Sequence, residues 1–163
     1  MSTKRIINEV REIEKFIKLE PIDNHRFLDI QMIDDDIKHY EVTFIGPKET
    51  PYEEIINTLS INIPEDYPHK SPSIKFLNKI YHPNISQYDG SICLDILKEN
   101  WKPVYSLRTI LMSIISLLSD PNPDSPLNGE AAALYKNGKT SKEDRRKYTK
   151  MILSVGDKNI KKN

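Results

Sequence analysis

Hydrophobic residues near the start of the chain recur every three or four positions, which is the spacing of one helical face. Charged residues fill most of the positions between them. This pattern predicts an amphipathic first helix over residues 3–18. The apolar positions of its buried face are Ile6, Val10, Ile13 and Ile17.

The next part of the chain contains short segments rich in β-branched and aromatic residues, separated by turn-forming residues. These segments lie at about residues 26–33, 38–45, 56–63 and 73–77. They predict four strands in an antiparallel meander. The proline-rich segment 64–72 cannot sit inside a sheet, so we expect a stiff surface loop there.

The pattern becomes helical again in the second half of the chain. Ser106 is a suitable cap for a helix whose wide apolar stripe runs from Leu107 to Leu118. Residues 128–135 predict a third helix, and Ser141 predicts the start of a fourth. The three helices follow the four strands along the chain, which indicates an α+β, two-layer fold.

Length and charge narrow the class of protein. With 163 residues the chain can bury a proper core, and we expect one domain over residues 1–155 and a short, polar, frayed tail over residues 156–163. The 24 basic and 24 acidic residues balance, so nothing favours nucleic acid or a membrane as the main partner. We find no signal peptide or membrane-spanning run, and expect a monomer in the cytoplasm or nucleus.

Cys93 is the only cysteine, and it lies in residues 81–97, where polar and turn-forming residues are densest. A single cysteine excludes an internal disulfide. Between two aliphatic neighbours, a lone cysteine is most often a small buried hydrophobic residue. Catalysis is the alternative, and it depends on what the surrounding residues supply.

The turn that precedes Cys93 supplies a polar partner. Pro83 stiffens the turn and pushes His82 towards extended geometry, so that the Asn84 carboxamide can be aimed as an oxyanion donor. Asp89 and Gly90 then predict a tight turn that returns the chain to the thiol. We interpret His82 as a structural pin. One cysteine and four histidines without ligand-pair spacing predict no metal site.

These residues together resemble the active-site signature of the ubiquitin-conjugating enzymes: the sequence reads HPN, then GSICLDIL, then Trp101. The likeness extends in order through TPYE at 50–53, DYP at 66–68 and DPNPDSPL at 120–127, and covers about residues 4–153. It implies the UBC fold, which has an N-terminal helix, a four-stranded antiparallel meander, an active-site loop and three further helices.

The resemblance also implies a mechanism. Cys93 would accept ubiquitin from the activating enzyme as a thioester and pass it to a substrate lysine. Asn84 would support the oxyanion or the loop, and Ser125 aligns with a gate residue that is acidic in many members. Asp95 is the neighbour of the active site, and His82 with Pro83 completes the motif. No bound cofactor is implied, since ATP is used by the activating enzyme.

Partner surfaces follow from the same resemblance. The first helix would take part in docking the activating enzyme and a ligase of RING or HECT type, and the two loops near residues 69 and 103 would form the two halves of the ligase-binding surface. The candidate contacts are Lys4, Arg5, Asn8, His69, Pro103 and Val104. Arg108 and Met112, on the helix that follows the active site, are candidate contacts to the donor ubiquitin.

Two alternatives remain open at this point. The chain could conjugate another modifier, SUMO or NEDD8, or it could be a non-catalytic ubiquitin-binding variant, against which Cys93 and the HPN turn weigh. Two departures from the family pattern also stand out. Eight residues separate Asn84 from Cys93, one more than in many members, and Glu54-Ile55 replaces the usual pair of glycines.

Overall fold

The computed structural model describes residues 3–160, and its elements follow the predicted order. The helices are α1 (Thr3–Leu19), α2 (Leu107–Ser119), α3 (Gly129–Asn137) and α4 (Lys142–Gly156). The strands are β1 (Phe27–Ile33), β2 (Asp36–Ile45), β3 (Ile56–Asn62) and β4 (Ser73–Phe76). The predicted α+β fold of one helix, four strands, an active-site loop and three further helices is confirmed.

The four strands form one antiparallel sheet in the order β1-β2-β3-β4, as a meander requires. Its register pairs Ile30 with Val42 and Val42 with Leu59, which places apolar residues side by side on the buried face. Helix α1 packs on β1 and β2 and also contacts α2. The core lies between the sheet and these helices, and the apolar stripe predicted for α2 is buried.

Polar side chains cap the last three helices, as their sequences indicate. The Ser106 hydroxyl accepts a hydrogen bond from the Thr109 amide at 3.2 Å, and the Ser141 hydroxyl accepts one from the Asp144 amide at 3.2 Å. Asn128 does the same for α3 through the Ala131 amide at 3.1 Å. Each cap satisfies one of the amides that a helix start leaves without a partner.

The predicted frayed tail is wrong for residues 156–160. Gly156 ends α4 so close to Ile55 that a Cβ on it would lie 2.4 Å from the Ile55 Cδ1 atom. Ile160 then forms an antiparallel bridge with Ile55. Ile55 is one of the residues that replace the usual glycines, so this departure from the family pattern gives the end of the chain an anchor. Residues 161–163 of the predicted tail lie outside the described residues.

Within residues 3–160, no helix is both long enough and apolar enough to cross a bilayer.

Candidate functional site

The thiol lies at the end of a short hairpin. Ile85 and Ile92 form a β-bridge, and the Ser86 amide donates to the Ser91 carbonyl at 2.9 Å. Gly90 closes the predicted tight turn with a φ of 75°, and a Cβ there would lie 2.0 Å from the Phe76 carbonyl oxygen. Only glycine fits both the angle and the space.

The hairpin fixes the backbone of Cys93 against that of Asn84. The Cys93 amide donates to the Asn84 carbonyl at 2.8 Å, and the Cys93 side chain is partly exposed. The additional residue between these two positions is therefore absorbed at the hairpin tip, residues 86–91, and the two arms remain in register. The insertion leaves the contact between turn and thiol segment intact.

His82 is fully buried and holds the turn from both ring nitrogens. Its Nδ1 accepts a hydrogen bond from the Asn84 amide at 3.0 Å, and its Nε2 lies 2.8 Å from the Leu117 carbonyl oxygen. A carbonyl can only accept, so the proton is on Nε2. Burial lowers the pKa of His82 to about 4, and the ring stays neutral at pH 7. This geometry agrees with a structural pin.

Asn84 is also fully buried, and its carboxamide is saturated by the loop at residues 120–126. The two Nδ2 hydrogens go to the carbonyl oxygens of Asn122, at 2.7 Å, and Ser125, at 3.1 Å. Its Oδ1 accepts from the Asn122 amide at 2.8 Å. We call His82 and Asn84, with these backbone partners, the thiol clamp. In this arrangement Asn84 fastens the loop and has no free donor for an oxyanion.

Two other predicted site residues lie at the surface near the clamp. The Ser125 side chain is exposed, although its backbone carbonyl belongs to the thiol clamp. Asp95 is exposed as well, and its carboxylate accepts from the Ile96 amide and the Asn100 side chain, both at 2.9 Å. Asp95 thus shapes the single 3₁₀ turn that follows the thiol segment.

The predicted ubiquitin contacts on α2 face inward more than expected. The Arg108 guanidinium pairs with Glu12 of α1 at 3.0 Å and lies 4.9 Å from the centroid of the Phe16 ring. Met112 is partly buried and packs against the core. Arg108 already joins α2 to α1, so a ubiquitin contact would use the part of its side chain that remains accessible.

A second buried polar centre lies where α1 meets the two predicted partner loops. Glu9 of α1 is 8% exposed, and its carboxylate accepts from the Tyr67 hydroxyl at 2.7 Å and the Leu107 amide at 3.2 Å. Arg5 pairs with it at 3.5 Å. The pKa of Tyr67 lies well above its usual range, mainly because the side chain is buried and also because it faces the Glu9 carboxylate. The hydroxyl therefore remains a donor.

The same centre joins the loop at residues 64–72 to the loop at residues 101–105. Arg5 donates to the carbonyl oxygens of Pro103 and Tyr105 at 2.6 and 2.9 Å, while the Trp101 indole donates to the Pro68 carbonyl at 2.9 Å. We call this centre the loop junction. It consists of Arg5, Glu9, Tyr67 and Trp101.

The loop junction supports the exposed surface that the sequence predicts for partners. Val104 is 81% exposed, and His69 and Pro103 are also exposed, as are Lys4 and Asn8 on α1. Arg5 differs from these residues because its guanidinium is engaged within the molecule. Arg5 therefore mainly supports the loops beneath this surface and contributes little to the exposed surface itself.

Sequence reasoning missed Glu9, Tyr67 and Asn122 as parts of the site. Glu9 follows Arg5 by one helical turn and looks like any charged residue of a solvated face. Its role depends on Tyr67, which is 58 residues away along the chain. Asn122 acts through its backbone, which carries no side-chain signal. Tyr67 had a signal, since it belongs to the DYP segment of the resemblance, but that signal gave it no role.

No three His, Cys, Asp or Glu side chains among residues 3–160 converge where they could hold a metal ion.

Comparisons with known proteins agree with this geometry. Residues 8–151 match a family model described as ubiquitin-conjugating enzyme. The chain is 42% identical over 149 residues to ubiquitin-conjugating enzyme E2 13 of Saccharomyces cerevisiae, covering 91% of this chain and 92% of that protein.

Solved structures show the same likeness. Pex4p of H. polymorpha, a ubiquitin conjugating enzyme solved in complex with the soluble domain of Pex22p, aligns with a TM-score of 0.86 and 29% identity over 96% of both chains. The E2 domain of a Toxoplasma gondii ubiquitin conjugating enzyme aligns with a TM-score of 0.83 and 34% identity, over 99% of this chain and 100% of that one.

Proposed function

Because the chain belongs to the ubiquitin-conjugating enzymes, transferases that act through a thioester intermediate, we propose that Cys93 is the residue that carries ubiquitin. One observation supports this assignment above the others: Cys93 is the only cysteine of the chain. In addition, its side chain is partly exposed, and its amide is bonded to the Asn84 carbonyl at 2.8 Å.

The chemistry assigned to Cys93 has two steps. Its thiolate attacks the carbonyl carbon of the thioester between ubiquitin and the activating enzyme, and the cysteine of that enzyme leaves as a thiolate. The amine of a lysine on the protein substrate then attacks the Cys93 thioester, an amide bond forms, the Cys93 thiolate leaves, and the proton lost by the amine is released to solvent. The chain itself needs no bound cofactor for either step, since ATP is consumed by the activating enzyme.

Asn84 contributes to these steps by position. Both steps pass through a tetrahedral oxyanion, and a preorganised donor at that oxygen would be worth a large factor in rate. The Nδ2 hydrogens of Asn84 are already donated to the 120–126 loop. Asn84 therefore acts by holding that loop beside the thiol, and His82 acts by holding Asn84.

Ser125 and Asp95 line the approach to the thioester. The exposed Ser125 side chain has no charge at neutral pH, so its influence on the incoming lysine is positional. Asp95 holds the turn that follows the thiol segment. Ser125 takes the place of the acidic gate, and a phosphate there would add about −1.5 to −2 charges beside the nucleophile.

The surface above the loop junction is our candidate for docking the activating enzyme and a ligase of RING or HECT type. It is exposed, it combines the start of α1 with two loops, and its backbone is held by buried hydrogen bonds. We assign the accessible part of α2, with Arg108 and Met112, to the donor ubiquitin. A working reduced thiol suits the cytoplasm or nucleus.

A charging assay tests the assignment of Cys93. The protein is mixed with activating enzyme, ATP and ubiquitin and examined on a non-reducing gel. We expect an adduct that thiol reductant removes, no adduct with Cys93→Ala, and a reductant-stable ester with Cys93→Ser. The absence of any reductant-sensitive adduct of the unmodified chain would overturn the assignment, because Cys93 is the only cysteine and no other thiol could carry the thioester.

A further inference from the structure

A groove lies between α3 and α4, and none of its lining residues belongs to the thiol clamp or the loop junction. Its volume is about 460 Å³, within the range of pockets that bind small ligands or single large side chains. The residues that define it are Pro51, Leu134, Tyr135, Lys139, Arg145 and Tyr148.

The walls of the groove are apolar and held in place. Tyr135 and Tyr148 contact each other with ring centroids 5.5 Å apart, and Tyr148 is buried. The turn between the helices is fixed by the Arg145 side chain, whose Nε donates to the Gly138 carbonyl at 2.9 Å. The groove is thus a preformed feature of the helix pair, with an aromatic floor.

The rim of the groove is basic. The Lys139 Nζ atom lies 5.3 Å from the centroid of the Tyr135 ring, and Arg145 also lines the groove. Lys142 precedes Arg145 by three residues and lies on the same side of α4. All three side chains are exposed.

This basic rim is part of an uneven distribution of charge along the chain, although the total charge is balanced. Residues 130–150 carry seven Lys and Arg against three Asp and Glu, whereas residues 1–129 carry 14 against 20. Of the seven cations, only Lys136 forms an ion pair with another residue of the range 3–160, to Asp124 at 3.0 Å. The remaining cations at this end are free of acidic side-chain partners in the described residues.

We propose that the groove between α3 and α4 docks an acidic segment of a partner protein, with one aromatic or large aliphatic side chain of that segment inserted against Tyr135 and Tyr148. The unpaired cations of the rim attract the acidic residues, and the aromatic floor takes the anchor. This is a binding site additional to the transfer of ubiquitin, since it shares no residue with the thiol hairpin or the 120–126 loop.

The distribution of charge favours a protein segment over nucleic acid. Glu143 and Asp144 occupy the first turn of α4, beside the basic rim. A phosphate backbone carries a charge at every nucleotide and would meet these carboxylates. A peptide can instead place its acidic residues only opposite Lys139, Lys142 and Arg145, with an apolar residue between them.

Nuclear magnetic resonance on the full chain tests the proposal with a defined probe. The probe is a capped peptide with one Phe flanked on each side by three Asp or Glu residues. We expect saturable shifts of amides along the groove. Replacing the Phe by Ala, or the acidic residues by their amides, should each weaken binding about tenfold, because each change removes one of the two sources of affinity.

Matched charge reversals on the same helix pair locate the site. Lys139→Glu with Lys142→Glu reverses the rim and should weaken the peptide about tenfold or more. Lys147→Glu with Lys150→Glu makes the same change of charge, but these residues lie on other sides of α4, so binding should be retained. Both double variants should accept ubiquitin on Cys93 at the rate of the unmodified chain, which shows that they are folded.

Three results would overturn the proposal. They are no saturable shift at millimolar peptide, equal weakening by the two charge reversals, and equal binding of the peptides with and without Phe. The last two results would indicate only a general electrostatic attraction to the basic residues in the range 130–150. Tighter binding of a short oligonucleotide of equal charge to the same amides would assign the groove to nucleic acid instead.

Discussion

The thiol clamp and the loop junction are both buried polar centres that hold surface loops, but they are built from opposite kinds of group. The clamp uses neutral groups only: an imidazole kept uncharged, a carboxamide and backbone carbonyls. The junction uses the Glu9 carboxylate and the Arg5 guanidinium. Of the two, the clamp is bonded to the thiol segment, through the Asn84 carbonyl and the Cys93 amide.

A neutral clamp fixes the geometry of the thiol without placing a full charge beside an oxyanion that forms and decays. The loop junction joins loops from distant parts of the chain and uses stronger, charge-assisted hydrogen bonds to do so. The two centres should therefore be separable. Damage to the clamp should slow every transfer from Cys93, whereas damage to the junction should slow only the transfers that need a docked partner.

The largest effect that we predict is on stability, and it comes from the clamp. The pKa of His82 is about 4 in the folded protein, below the usual 6.5, so only the unfolded chain takes up this proton between those values. The free energy of unfolding should fall by about 3 kcal/mol as the pH drops from 6.5 to 4. Protonation of His82 stabilises the unfolded state by about 1.4 kcal/mol for each pH unit over which that state alone is protonated.

Urea unfolding at a series of pH values measures this dependence, and His82→Gln is the control. The variant has no ring to protonate, so its own curve should lack this contribution whatever its stability at pH 7. An unchanged slope in His82→Gln would show that other groups cause the loss and that His82 is not held neutral by the clamp.

The next effect is on rate. Asn84→Ala removes all three side-chain bonds to the 120–126 loop, and discharge of the Cys93 thioester to free lysine should slow on the order of a hundredfold, the cost of a displacement of about 1 Å at a reacting centre. Asn122→Ala is the matched control, since Asn84 bonds only the backbone of Asn122. Equal losses in the two variants would contradict the clamp.

A smaller effect should come from the loop junction. Glu9→Gln keeps the size of the side chain but removes the charge that Arg5, Tyr67 and the Leu107 amide share. Ligase-stimulated discharge should fall about tenfold, in line with the loss of one hydrogen bond to a charged group. Discharge without ligase should not change. Glu14→Gln, on the exposed part of α1, should leave both rates unchanged.

The smallest effect should come from Ser125→Ala. The residue contributes to the clamp through its backbone carbonyl, which the substitution keeps, and its side chain is exposed. Discharge to lysine should change by less than about twofold, as is usual for surface substitutions. A larger loss would mean that the hydroxyl itself contacts the incoming lysine.

The fold could be predicted largely because its elements carry local signals. The spacing of Ile6, Val10 and Ile13 indicates one helical face, and Ser106 and Ser141 mark helix starts that the structure confirms. The end of the chain could not be predicted this way. Residues 156–160 look polar and frayed, and they are held only because Ile55, from another part of the chain, packs against Gly156 and pairs with Ile160.

The site shows the same division. The sequence identified Cys93 and the His-Pro-Asn turn, but it could not show where the Asn84 carboxamide points, because its partners are backbone groups 38 and 41 residues further along. Glu9 carries the general lesson. A carboxylate on an amphipathic helix has no sign of burial in its own neighbourhood, and only the distant hydroxyl of Tyr67 and the amide of Leu107 give it a role.

The most direct test of the separation between the two centres is single-turnover discharge of the preformed Cys93 thioester to lysine, with and without a RING ligase that first accelerates the unmodified chain. If the centres act separately, Asn84→Ala slows both reactions by the same factor, while Glu9→Gln slows only the reaction with ligase. Equal slowing of both reactions by Glu9→Gln would contradict this separation, because the loop junction would then act on the thiol itself.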